Sequence, residues 1–153
     1  PALEQLAGTV AVEHLTAVLA ERALGEEGLF DDADPAMAKL WKWHAVEEME
    51  HKAVAFDVYR AVGGTEKMRR AAMRRSTLFL TWDILHGVRH ILRCDGKLWN
   101  FKVWASGFTF LFGKQGILRG TAKPYREFFR EDFHPWQHQT QDLIKNWEMQ
   151  QQA

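Results

Sequence analysis

Along residues 37–62, apolar side chains and potential metal ligands fall on one line only if the chain is helical. At about 100° per residue, His44, Glu48 and His51 lie within roughly 60° of one another. Met37 and Leu40 extend that stripe towards the N-terminus, and Ala55, Val58 and Val62 extend it the other way. Asp34-Pro35 supplies an N-cap and a proline for the first helical turn, and Gly63-Gly64 stops the pattern, so one helix is expected from Pro35 to about Val62. A stripe of this kind is expected to be buried. An ionisable group buried alone costs several kcal/mol and needs a partner, a proton or a metal. Glu48-x-x-His51 has the i, i+3 spacing with which helical bundles ligate paired metals. Glu50, Lys39, Lys42, Lys52, Asp57 and Arg60 read instead as the solvated face of the same helix. A second helix has to decide between a metal site and a polar surface.

The remaining pattern is helical throughout. Residues from Pro1 to about Leu24 are apolar on nearly all sides, with Gly25 as a stop, and residues 26–34 form a short acidic loop. Thr65 starts a third helix that reaches about Arg93. A turn at Asp95-Gly96 leads to an aromatic helix, which the glycines from Gly113 to Gly120 end. A short helix follows from Pro124 to about Arg130. Phe133-His134-Pro135-Trp136 is a loop, and an amphipathic helix runs from about Thr140 to Gln151. No strand pattern, internal repeat or low-complexity tract interrupts them, so the fold class is all-α.

A chain of 153 residues suits a single helical domain, 1–153, with a substantial core. Twenty basic residues balance twenty acidic ones, which gives no basic footprint for nucleic acid. The lone Cys94 excludes an internal disulfide framework and fits a reducing compartment, so a cytoplasmic location is expected. No basic and apolar leader opens the chain. It begins without methionine in what reads as mid-helix, which suggests a piece of a longer protein. The aromatic stretch 98–112 contains Lys102 and falls short of the roughly 18 apolar residues of a membrane span. It reads as an apolar wall or subunit contact, in preference to a helix lying on a membrane surface.

The first helix supplies a second carboxylate. On a helical wheel Glu13 shares a face with Leu6, Thr9, Ala17, Ala20 and Leu24, where small neighbours leave room beside it. Glu47, at the edge of the second helix's stripe, is a further candidate ligand. A competing constellation lies on the third helix. His86 and His90 have the i, i+4 spacing of zinc ligands, with Asp83 one turn before them. Gly87 stands where a His-Glu-x-x-His site has its general base, so these residues read as supporting groups. His134 and His138 read as orienting or capping residues, His134 within a proline-rigidified turn.

Two long motifs carry a resemblance. Val12-Glu13-His14-Leu15-Thr16-Ala17, followed by Trp43-His44-Ala45-Val46-Glu47-Glu48-Met49-Glu50-His51-Lys52-Ala53-Val54-Ala55-Phe56-Asp57-Val58-Tyr59, resembles the bacterial family described as predicted metal-dependent hydrolase. Phe133-His134-Pro135-Trp136 is similar to that family's C-terminal signature. The resemblance spans nearly the whole chain. It implies a ferritin-like antiparallel helical bundle, here with an additional aromatic-rich helix and a C-terminal helix. It also implies a metal site built from a Glu on one helix and Glu-x-x-His on the next, twice over. Glu13, Glu48 and His51 match the second half of that pattern, and the first half has no counterpart in this sequence.

Oxygen and imidazole donors without thiolate favour iron or manganese, with zinc as an alternative divalent transition metal. The expected function is hydrolysis of a small-molecule substrate, with Glu48 and Glu13 as catalytic groups and His44 or Glu47 assisting. The same ligands also suit a di-iron oxidase or oxygenase, and a helical dimerisation module is the non-enzymatic alternative. One Glu plus one Glu-x-x-His is half of a dinuclear site, so a two-fold homodimer is expected to complete it.

Overall fold

The computed structural model describes residues 2–26, 28–114 and 116–152, and among them every regular element is helical. Helix α1 spans Ala2–Gly25, α2 Pro35–His51, α3 Val54–Ala61, α4 Glu66–Cys94, α5 Phe101–Phe112, α6 Ala122–Glu127 and α7 Gln141–Gln152; a single 3-10 turn covers Pro135–Gln137. The all-α reading holds. The largest departure is that the expected helix over residues 35–62 is two helices, α2 and α3, with a break at Lys52 and Ala53. The break has a tertiary cause. Lys52 turns inwards, where its ammonium donates to His138 O at 2.6 Å and to Thr140 Oγ1 at 2.9 Å. The freed Ala55 N–H donates to Glu13 Oε2 at 3.3 Å. Periodicity cannot report such a break, because the apolar spacing continues across it.

Local chemistry accounts for three of the helix starts. Asp34 caps α2 by accepting from the backbone N–H groups of Ala36 and Met37. Thr65 caps α4 through Met68 N–H, and Asn100 caps α5 through Lys102 N–H. Between α3 and α4 the chain reverses at Gly63, with φ of +84°. The Tyr59 ring then lies so close to Gly64 that a Cβ there has no room.

Helix α1 is the hub, packed against α2, α3 and α4. Ala7, Val10 and Ala11 on one side of it meet Phe56, Tyr59, Ala72, Met73, Phe128 and Phe133. Further along, Ala20 packs with Ala45 and Met49, flanked by Leu143 and Ile144 of α7. Small residues at these positions let α1 approach both partners closely. The distal half of α4 and most of α5 lie outside this core. Phe79, Trp82 and Ile91 are exposed, and Trp99 and Phe101 are 92% and 83% exposed. No described helix is long and apolar enough to cross a membrane.

Candidate metal centre

Glu13 and Glu48 face each other across the α1–α2 interface, both half-buried. Glu48 Oε2 accepts from the Thr16 hydroxyl at 2.5 Å, the length of a charge-assisted O–H···O⁻ bond. On the other oxygen, His44 Nε2 stands 3.6 Å from Glu48 Oε1, one helical turn away. The Glu13 carboxylate receives the Ala55 N–H at the start of α3. It is held above the ordinary carboxylate range mainly by burial, and further by the negative charge of Glu48. The Ala55 hydrogen bond and His51 pull the other way. Among the described residues, neither carboxylate has a Lys or Arg in salt-bridge contact.

The five sequence candidates therefore separate. Glu13 and Glu48 converge, His51 is near enough to act on Glu13 electrostatically, and His44 reaches Glu48. Glu47 is half-buried and takes part in none of these contacts. The expectation that the stripe as a whole is buried is overturned. Ala45, Val46 and Met49 are the buried face of α2, whereas Met37, Leu40, His44, His51, Val58 and Val62 are exposed. The reason is geometric: α1 covers α2 through Ala20 and Ala45, so the wheel position of Glu48 lies at the edge of that contact and His51 lies beyond it.

Asp83, His86 and His90 are exposed on the distal half of α4, where His90 Nε2 lies 3.7 Å from Cys94 Sγ; they do not join the Glu13–Glu48 pair. His134 caps the 3-10 turn by accepting from Trp136 N–H, and its Nε2 sits 2.9 Å from Asp57 Oδ1. His138 Nε2 stands 3.3 Å from Glu127 Oε2.

Sequence reasoning missed Thr16 and His14. The spacing of Thr16 three residues after Glu13 was the available signal, since it places both on the α2 side of α1. His14 is buried on the adjoining face, between Phe128 and Phe133, with Nε2 3.2 Å from Pro124 O. Nothing in its sequence surroundings distinguishes it.

The donor types fit a divalent cation. Two carboxylates facing each other without a cationic side chain are mutually repelling, and an ion or a shared proton relieves that repulsion. Their number is incomplete, because no group of three His, Cys, Asp or Glu among the described residues is placed to hold an ion. The model of the family described as predicted metal-dependent hydrolase matches residues 1–139. The chain belongs to that family. No curated protein and no solved structure matches it. Membership makes metal dependence the expected setting for this carboxylate pair, and the match extends through Phe133-His134-Pro135-Trp136, the turn that abuts α3.

Proposed function

We propose that this family member hydrolyses a small-molecule substrate at a metal centre whose ligands include Glu13, Glu48 and His51, with His44 or Glu47 assisting. The observation that carries the reading is the pair of converging carboxylates with no Lys or Arg between them. Iron or manganese suits oxygen and imidazole donors best, and zinc is the alternative. A divalent ion held there supplies Lewis acidity towards a carbonyl or phosphoryl oxygen. The chain's own residues supply the rest. Thr16 fixes the rotamer of Glu48. The Ala55 N–H does the same for Glu13. His44 stands beside the other oxygen of Glu48 from one turn away.

A ferritin-like site needs a second set of ligands, and we assign it to a second copy of this chain. The support is the exposed stripe beside the carboxylates. Leu40 and Val58 are 50% and 48% exposed, flanking the accessible His44 and His51. Apolar surface interleaved with potential ligands is what an isologous contact would cover while bringing two half-sites together.

Metal analysis of the purified protein with Glu48→Ala tests the site. Specific uptake is expected to vanish and hydrolysis to fall about 100-fold or more, while the helical circular dichroism stays unchanged. Unchanged metal stoichiometry in a Glu13/Glu48 double alanine variant rules the site out. Dioxygen consumption with ferrous iron, without hydrolysis, assigns the centre to oxidase chemistry instead. Sedimentation as a monomer at micromolar concentration removes completion by a two-fold partner.

A further inference from the structure

A groove of about 360 Å3 opens between α1 and α2 and ends at Thr16, His44 and Glu48. That volume lies within the range of small-molecule sites, roughly 300–1,000 Å3. Away from that end its walls are apolar: Leu19 and Ala23 from α1, Phe30 from the following loop, Trp41 from α2, and Phe110 and Ile117 from α5 and the segment after it. The polarity is therefore confined to one end, and that end belongs to the carboxylate pair. Among the described residues no Lys or Arg lines the groove. A neutral carbonyl head meets a hydroxyl and an imidazole that can donate to it, whereas for an anionic head the described lining offers no Lys or Arg to offset the charge of Glu48.

We propose that this groove holds the hydrocarbon chain of a neutral aliphatic ester or amide, with its carbonyl at Glu48 and its chain running towards Phe110. The inference rests on the reading of Glu48 as the hydrolytic end and adds to it the class of substrate. In the corresponding reaction water adds its oxygen to the acyl carbon, the acyl C–O or C–N bond breaks, and the leaving alcohol or amine takes a proton. The acid produced is anionic, and the acidic end of the groove favours its release. Phe110 gives the aromatic helix a role that its poor packing elsewhere does not explain. It forms the outer wall of the groove.

Straight-chain primary alcohols from butanol to decanol serve as neutral probes, with affinity measured by calorimetry on the full chain. Each added methylene is expected to tighten binding about fourfold until the groove is filled, because each buries one more apolar group. Ala23→Trp, which fills the groove from a half-buried position, is expected to abolish the length dependence. Phe110→Asp replaces an exposed side chain outside the core, so it folds even if the tryptophan variant does not, and it is expected to weaken the longer alcohols about tenfold or more. An affinity that is flat with chain length, or unchanged in Phe110→Asp, overturns the proposal. Metal analysis on the same samples separates the two readings. Chain-length dependence in a protein that takes up no metal sustains the groove and removes the metal centre, while metal uptake with no length dependence overturns the groove and leaves the centre standing.

Discussion

Glu13 and His14 are neighbours in sequence and point about 100° apart around α1, and the two faces treat polar groups differently. On the His14 side most of the buried polar groups are met by the protein itself, although Arg69 Nε has no hydrogen-bond partner among the described residues. Arg69, fully buried, donates to the carbonyls of Phe128 and Arg130 and pairs with Glu66, while its guanidinium lies 4.6 Å from the Phe128 ring. Lys52 is held by His138 O and Thr140, and burial pushes its ammonium below the ordinary lysine range. His14 is kept neutral by burial, against the pull of its hydrogen bond to Pro124 O. On the Glu13 side two carboxylates meet half in solvent, with one hydroxyl and one backbone N–H as donors, His44 and His51 nearby, and no Lys or Arg in salt-bridge contact among the described residues. Closed polar networks hold a fold together, and an open like-charged pair is where the proposed metal centre is placed.

Removing Arg69 tests the closed side most severely. Arg69→Ala leaves the Phe128 and Arg130 carbonyls without their donor inside an aromatic cage and is expected to cost about 3–5 kcal/mol. Urea denaturation at neutral pH measures it. A loss below about 1 kcal/mol means that water replaces the guanidinium and that this side is as open as the other.

The next effect depends on pH. Burial lowers the His14 pKa from 6.5 to about 4, so the unfolded chain binds the proton more readily than the folded one. The stability this represents is fully present above pH 6.5 and is lost as pH falls from 6.5 towards about 4. Its size is on the order of 3 kcal/mol. His14→Gln is expected to flatten that part of the stability profile, and an unchanged profile places the titration elsewhere.

The smallest effect has the opposite sign and belongs to the open side. The Glu13 pKa is raised, so its folded-state contribution is present below the ordinary carboxylate pKa and is lost as pH rises. Glu13→Gln keeps the shape and removes one charge of the pair. In metal-free protein at neutral pH it is expected to raise stability by about 0.5 kcal/mol, reduced by solvent screening of a half-exposed group. With metal added, the order is expected to reverse, since the natural protein gains binding energy that the variant lacks. A thermal shift that metal leaves equal in both proteins erases the contrast between the two sides.

Much of the fold was legible in the residues. Asp34, Thr65 and Asn100 mark helix starts by a side chain that satisfies a free N–H, and Gly63 marks a reversal because few other residues adopt its backbone. Such signals act over three or four residues, so sequence alone determined most helix starts, the all-α class, and the presence of Glu13 and Glu48 as paired candidates on successive helices. The break at Lys52 and Ala53 came from elsewhere, through partners 86 and 88 residues away in sequence at His138 and Thr140. So did the choice of which face of α2 is covered. A helical wheel gives the angle of His51 relative to Glu48, but only the approach of α1 through Ala20 and Ala45 decided that Glu48 sits at the contact and His51 outside it. Local hydrogen bonding selects elements, whereas long-range packing selects which of their faces meet. Tertiary structure therefore decided that two glutamates without a cationic partner should face each other, and that His14 and Arg69 should be closed away behind them.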